Sequence, residues 1–107
     1  MNNWDFVVQV GETAPEQRPE QVLKTPEANK ALQNAYDWAV AKASTSSYAN
    51  SAKVYIEAIE MNREYDASPD KADYTQLLYI LSNLTYWKGD IAKHSKQVLK
   101  DYSESIK

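Results

Sequence analysis

The sequence predicts an all-α domain, a three- to four-helix bundle with an N-terminal strand-like arm, and three observations lead there. Alanine, leucine, lysine, glutamate and glutamine, all good helix formers, dominate the middle and end of the chain. Two glycines and four prolines in 107 residues are too few for the tight turns of an all-β design. Residues 73–107 carry two amphipathic helical patterns that meet at Trp87-Lys88-Gly89-Asp90, which reads as a helical hairpin.

The elements follow in chain order. Trp4, Phe6, Val8 and Val10 alternate with Asp5, Val7 and Gln9 before Gly11, the period-two pattern of one short strand. No second strand pattern exists to accept its hydrogen bonds, so the arm must pair with another molecule, pack on the helices, or stay unfolded. Residues 12–26 hold three prolines and few apolar side chains and read as a linker, in which residues 19–23 have room for one helical turn. This divides the chain into an arm and linker over 1–26 and a helical domain over 27–107. Thr25-Pro26-Glu27 is a helix start: a capping hydroxyl, a proline at the first position, and an acid at the positive end of the dipole. The helix that follows places Ala28, Ala31, Leu32, Ala35, Trp38 and Ala39 on one face, and Ser44-Thr45-Ser46-Ser47 turns the chain. A second helix is expected over residues 47–65, apolar over more than half its circumference and therefore central to the bundle. Ser68 and Pro69 restart the chain as a third helix with Tyr74, Leu77, Leu78, Leu81 and Leu84 facing the core. Gly89 is expected to terminate it and Asp90 to cap a fourth, whose core face reads Ile91, Ser95, Val98, Leu99, Tyr102 and Ile106.

Composition narrows the function classes. The net charge of −3 creates no global field for nucleic acid or anionic membrane. Residues 88–107 nevertheless carry five lysines against Asp90, Asp101 and Glu104, leaving the acidity to the rest of the chain. The absence of cysteine excludes disulfides, thiolate zinc sites and a cysteine nucleophile. Met1-Asn2-Asn3-Trp4-Asp5 lacks the pattern of a signal peptide, and no apolar run approaches the roughly 20 residues of a membrane span. A cytoplasmic location without membrane contact is the expectation.

Catalytic chemistry lacks its parts. His94 is the one histidine, and beyond Asp90 four residues earlier no activated nucleophile or metal set accompanies it. Glu57, Glu60 and Glu64 share a helical face but lack the Glu-x-x-His partners of a bundle metal site, so a solvated acidic stripe is the plainer reading. Asp66, Asp70 and Asp73 do not have calcium-loop spacing and read as capping and turn residues. No catalytic residue, metal or cofactor is expected. Lys88, Lys93, Lys96 and Lys100 form a basic stripe beside Tyr86 and Trp87 that suits phosphate contact and base stacking, although only two arginines are present. Eight tyrosines and three tryptophans against one phenylalanine are the more unusual signal. Such side chains bury apolar surface and keep a polar tip, as interfaces between proteins require. Tyr36, Tyr48, Tyr79 and Tyr86 fall off the apolar stripes and are expected to be exposed in part. Trp4, Phe6, Val8, Tyr79, Tyr86 and Trp87 are the candidate partner-binding residues.

Residues 74–93 run as a leucine-rich helix, then aromatic-Trp-basic-Gly-acid at Tyr86-Trp87-Lys88-Gly89-Asp90, then the start of a lysine-bearing helix. This segment resembles the C-terminal part of small helical proteins encoded by phages and prophages of Gram-positive bacteria. Members of that class with roles include virion assembly factors and inhibitors that bind host machinery. The resemblance implies a non-catalytic regulator, inhibitor or assembly factor that acts in the host cytoplasm on a protein complex, or on further copies of itself. It carries over no functional residue. The alternative is a nucleic-acid-associated protein using the lysine stripe.

Overall fold

In a computed structural model, residues 22–65 and 67–107 are described, and they form five α-helices and no strand. The helices are α1 (Pro26–Lys42), α2 (Ser47–Glu57), α3 (Ile59–Glu64), α4 (Pro69–Ser82) and α5 (Asp90–Ile106). The expected arm lies outside the described residues. Around the core, α1 packs on α2 and α5, and α4 packs on α2, α3 and α5. The four longer helices thus close a ring, with α3 attached to α4. The second helix is therefore not central, and Val54, Met61 and Tyr65 of its apolar circumference are exposed.

Three starts are as the sequence dictates. The hydroxyls of Thr25, Ser46 and Ser68 accept from the backbone N–H groups of Ala28, Ala49 and Lys71, and Pro26 and Pro69 occupy the first turns of α1 and α4. The turn at residues 43–46 is real: the N–H groups of Thr45 and Ser46 both donate to the Lys42 carbonyl.

Other boundaries differ, each for a reason located in a side chain. The expected helix over 47–65 breaks at Ala58, whose backbone flattens to φ −91, ψ 0. The Tyr55 carbonyl, which an unbroken helix reserves for Ile59, accepts from the Gln76 side-chain amide at 2.8 Å. A side chain inserted into the hydrogen-bond ladder breaks it. The same buried amide accepts from Asn62 Nδ2 at 2.7 Å, so Gln76 of α4 fixes both sides of the break. The helix α4 ends at Ser82, short of Gly89, because Ser82 Oγ and Asn83 Nδ2 both donate to the Tyr79 carbonyl and compete with the ladder. Gly89 serves the following helix instead. It takes φ 110 at the N-cap of α5, where a side chain would be strained, and Asp90 is the first helical residue.

The core faces are rotated from the expected ones. On α4 the inward residues are Ala72, Asp73, Gln76, Leu77 and Ile80, while Leu78 is exposed, Tyr74 and Leu81 are half-buried, and Leu84 is buried just beyond the helix. On α5 they are Ala92, Ser95, Leu99, Tyr102 and Ser103, while Ile91 is 66% exposed. Tyr36, expected at the surface, is buried and its hydroxyl donates to Glu57 Oε2 at 2.6 Å.

Residues 22–25 belong to this packing, although the sequence places them in the linker. Val22 and Leu23 are buried. Their N–H groups donate to Asn29 Oδ1 at 2.8 and 3.1 Å, the Val22 carbonyl accepts from Arg63 Nη2 at 2.6 Å, and Lys24 N–H donates to the Tyr102 hydroxyl at 3.0 Å. Helices α1, α3 and α5 therefore all hold the chain where it enters the bundle.

Candidate protein-interaction surface

The helices α2 and α4 run antiparallel side by side, and this register assembles a tyrosine face that no local pattern specifies. Tyr48 of α2 meets Tyr86, just past α4, edge to face with ring centroids 5.0 Å apart. Two turns along, Tyr55 of α2 stacks on Tyr79 of α4 with centroids 5.6 Å apart. Both geometries are ones that aromatic pairs prefer. Tyr48, Tyr79 and Tyr86 are 44, 53 and 60% exposed, and Tyr55 is half-buried beneath them. Ser51, Thr75 and Ser82, three or four residues from these tyrosines along the helices, and Val54 and Leu78 next to Tyr55 and Tyr79, carry no charge. Of the nine large apolar or aromatic side chains exposed among the described residues, four (Tyr48, Val54, Leu78 and Tyr79) lie on these two neighbouring helices and a fifth, Tyr86, just past α4. An uncharged face of this kind, in a chain that is one quarter charged, is a departure from an ordinary solvated surface.

Among the candidate partner-binding residues, Tyr79 and Tyr86 stand on this face. Trp87 does not: it is buried and stacks on Trp38 of α1 at 6.1 Å, so it supports the corner from beneath. Trp4, Phe6 and Val8 lie outside the described residues. Tyr48 and Tyr55 complete the face, and the signal for them in the sequence is the seven-residue spacing they share with Tyr79 and Tyr86.

The four lysines of the alternative reading do come together. Lys88, Lys93, Lys96 and Lys100 line an open cleft of about 640 Å³ between the end of α4 and α5, with Leu81 and Trp87 in its wall. They are not equivalent. Lys96 is half-buried, and its ammonium donates to the carbonyls of Leu84 at 2.9 Å and Trp87 at 2.6 Å, tying down the connection after α4. Burial, and then the positive charge of Lys88, lower its proton affinity below that of an ordinary lysine. Lys88, Lys93 and Lys100 are exposed.

The acidic candidates are engaged elsewhere. The break at Ala58 divides the glutamate stripe: Glu57 accepts from Tyr36 and pairs with Lys53 at 3.2 Å, while Glu60 and Glu64 belong to α3. Asp70 pairs with Lys24 at 2.6 Å, raising that lysine's proton affinity chiefly through the hydrogen bond. Asp73, read from sequence as a capping or turn residue, is buried and receives Nε and Nη2 of Arg63, both at 2.8 Å, and this fork raises the arginine's pKa further. His94 is exposed and lines a shallow cleft between α1 and α5 with Glu27 and Asp101. Among the described residues no three His, Cys, Asp or Glu side chains are grouped to hold a metal ion, and no helix is long and apolar enough to cross a membrane. Comparison with protein-family models, curated proteins and solved structures finds no match to this chain.

Proposed function

We propose that this chain is a non-catalytic protein-binding module whose docking face is the α2–α4 tyrosine surface. The observation that carries the reading is the pair of exposed tyrosine contacts, Tyr48–Tyr86 and Tyr55–Tyr79, on a strip without charge. Tyrosines supply large, rigid contact area for the loss of two torsions each, and each ring here is already steadied by its neighbour. The resemblance of residues 74–93 to phage-encoded helical proteins supports the more concrete form: a regulator, inhibitor or assembly factor acting on a protein complex in the host cytoplasm. Exchange of Tyr48, Tyr79 and Tyr86 for serine should leave helicity intact and weaken partner binding by about 30-fold or more, the effect of losing even one interface hot spot of roughly 2 kcal/mol. Affinity capture from the source cell identifies the partner, and calorimetry with the purified partner reads the loss. Unchanged affinity in the triple variant would move the interface off this face.

The gathering of Lys88, Lys93 and Lys100 at one cleft favours a second reading, contact with nucleic acid. Three exposed ammonium groups, with Lys96 occupied by carbonyls, give few phosphate contacts, and of the two stacking candidates Trp87 is buried and Tyr86 is paired with Tyr48. A gel shift with mixed DNA and RNA at near-physiological salt should therefore show no complex. A micromolar complex that weakens when these lysines are neutralised would replace the protein-binding reading with this one.

A further inference from the structure

We propose that the lysine cleft between α4 and α5 seats the chain's own N-terminal arm, residues 4–10. Three observations converge on this occupant.

The first is the chemistry of the cleft. Leu81 and Trp87 give it an apolar wall, Lys88, Lys93 and Lys100 give it a cationic rim, and Asp90 is the one acid in its lining. The second is the chemistry of the arm. Trp4, Phe6, Val8 and Val10 recur at every second position of the sequence, and Asp5 with Glu12, Glu16 and Glu20 of the tether set four carboxylates against Arg18. Segment and cleft are complementary in both respects. The tyrosine face offers apolar surface without a cluster of free cations, Lys53 of α2 being paired with Glu57, so the arm has reason to prefer the cleft.

The third observation is where the chain enters the fold. Val22 and Lys24 are held by Arg63 and Tyr102, at the end of the bundle where α4 begins and α5 finishes. Lys100 stands half a turn before Tyr102, and from Lys100 the cleft follows α5 back to Asp90, about 15 Å away at 1.5 Å per residue. The segment from Val10 to Val22 can extend to roughly 40 Å, so the arm reaches the whole cleft without strain. A tether of this length also keeps the arm at an effective concentration near the millimolar range, which favours its own cleft over that of a second copy.

Paramagnetic NMR on the full chain tests this. The sequence contains no cysteine, so Gln9→Cys gives a single attachment point for a nitroxide at a polar position between Val8 and Val10. The amide signals of Lys93, Lys96 and Lys100 should lose most of their intensity, and clearly more than those of Tyr48 and Tyr55 on α2. In a mixture of spin-labelled chains with isotope-labelled chains lacking the nitroxide, the same signals should be unaffected. Adding Lys93→Glu and Lys100→Glu to the labelled chain should restore them. Full intensity at the cleft in the singly labelled chain would overturn the proposal, as would loss centred on the tyrosine face. Loss in the mixed sample would give the cleft to a second copy's arm, and loss that survives the charge reversal would remove the electrostatic basis.

Discussion

Arg63→Ala is expected to cost the fold about 3 kcal/mol, the lower part of the range for breaking a buried ion pair, because the arginine itself keeps some contact with water. Its side chain is 26% exposed, whereas that of Asp73 is 4% exposed. Truncation leaves the Asp73 carboxylate in the core without the fork that neutralises it, and removes the donor to the Val22 carbonyl as well. The loss therefore propagates to the entry segment, where Val22 and Leu23 close over the bundle. Against a total stability of about 5–15 kcal/mol for a small domain, this is a large fraction. A urea titration should show a clearly lower midpoint with little change in slope. The double variant Arg63→Met, Asp73→Leu should recover much of the loss, since the penalty belongs to the orphaned charge and not to the absence of a favourable pair. A midpoint unmoved by Arg63→Ala would show that Asp73 is solvated and that the entry segment is held by its other bonds. The Lys24–Asp70 pair nearby, with both side chains well exposed, should contribute far less.

The parts of this fold that were legible in the sequence are the ones set by neighbours in the chain. Thr25, Ser68, Pro26 and Pro69 announce helix starts because capping acts over three residues, and the hydroxyl run at residues 44–47 breaks a helix for the same local reason. What was not legible is set across the bundle. The break at Ala58 depends on the amide of Gln76, and a scan of apolar spacing has no means of detecting that contact. The orientation of α4 is misread for a related reason. Asp73 and Gln76 hold core positions because Arg63, Asn62 and the Tyr55 carbonyl satisfy them, so a count of apolar residues turns the stripe towards Leu78 and away from Ile80. On α5, Ala92 and Ser103 turn the inner face away from Ile91, which stands exposed in the first turn.

The candidate surface shows the same division. That Tyr48, Tyr79 and Tyr86 stand off the apolar stripes is a local fact, readable residue by residue. That they form one face with Tyr55 is a consequence of the antiparallel register of α2 and α4, which fixes Tyr48 opposite Tyr86 and Tyr55 opposite Tyr79. The lysines of α5 illustrate the converse. Their clustering follows from helical spacing, but the capture of Lys96 by the Leu84 and Trp87 carbonyls follows from the way α4 ends.

A leucine series along α4 and its exit separates the two orientations of this helix. Leu84→Ala should cost roughly 2–5 kcal/mol, the range for emptying a closed leucine site. Leu84 has no exposed surface and shares a core cluster with Leu77, Ile80, Trp87 and Leu99. Its position also limits relaxation. Its N–H is bonded to the Leu81 carbonyl and its own carbonyl holds Lys96, so the backbone is not free to collapse into the space left by the side chain. Leu78→Ala, at a site 44% exposed, should instead change stability by no more than about 0.5 kcal/mol. Leu81, half-buried against the same cluster, should fall between them. Apolar spacing alone makes a different forecast: it places Leu78, Leu81 and Leu84 on one inward face and assigns them similar costs. Urea midpoints of the three variants decide the matter. A loss at Leu78 equal to that at Leu84 would mean that α4 is turned so that Leu78 faces the core, and Tyr79 would then no longer stand beside Tyr55 on the outer face.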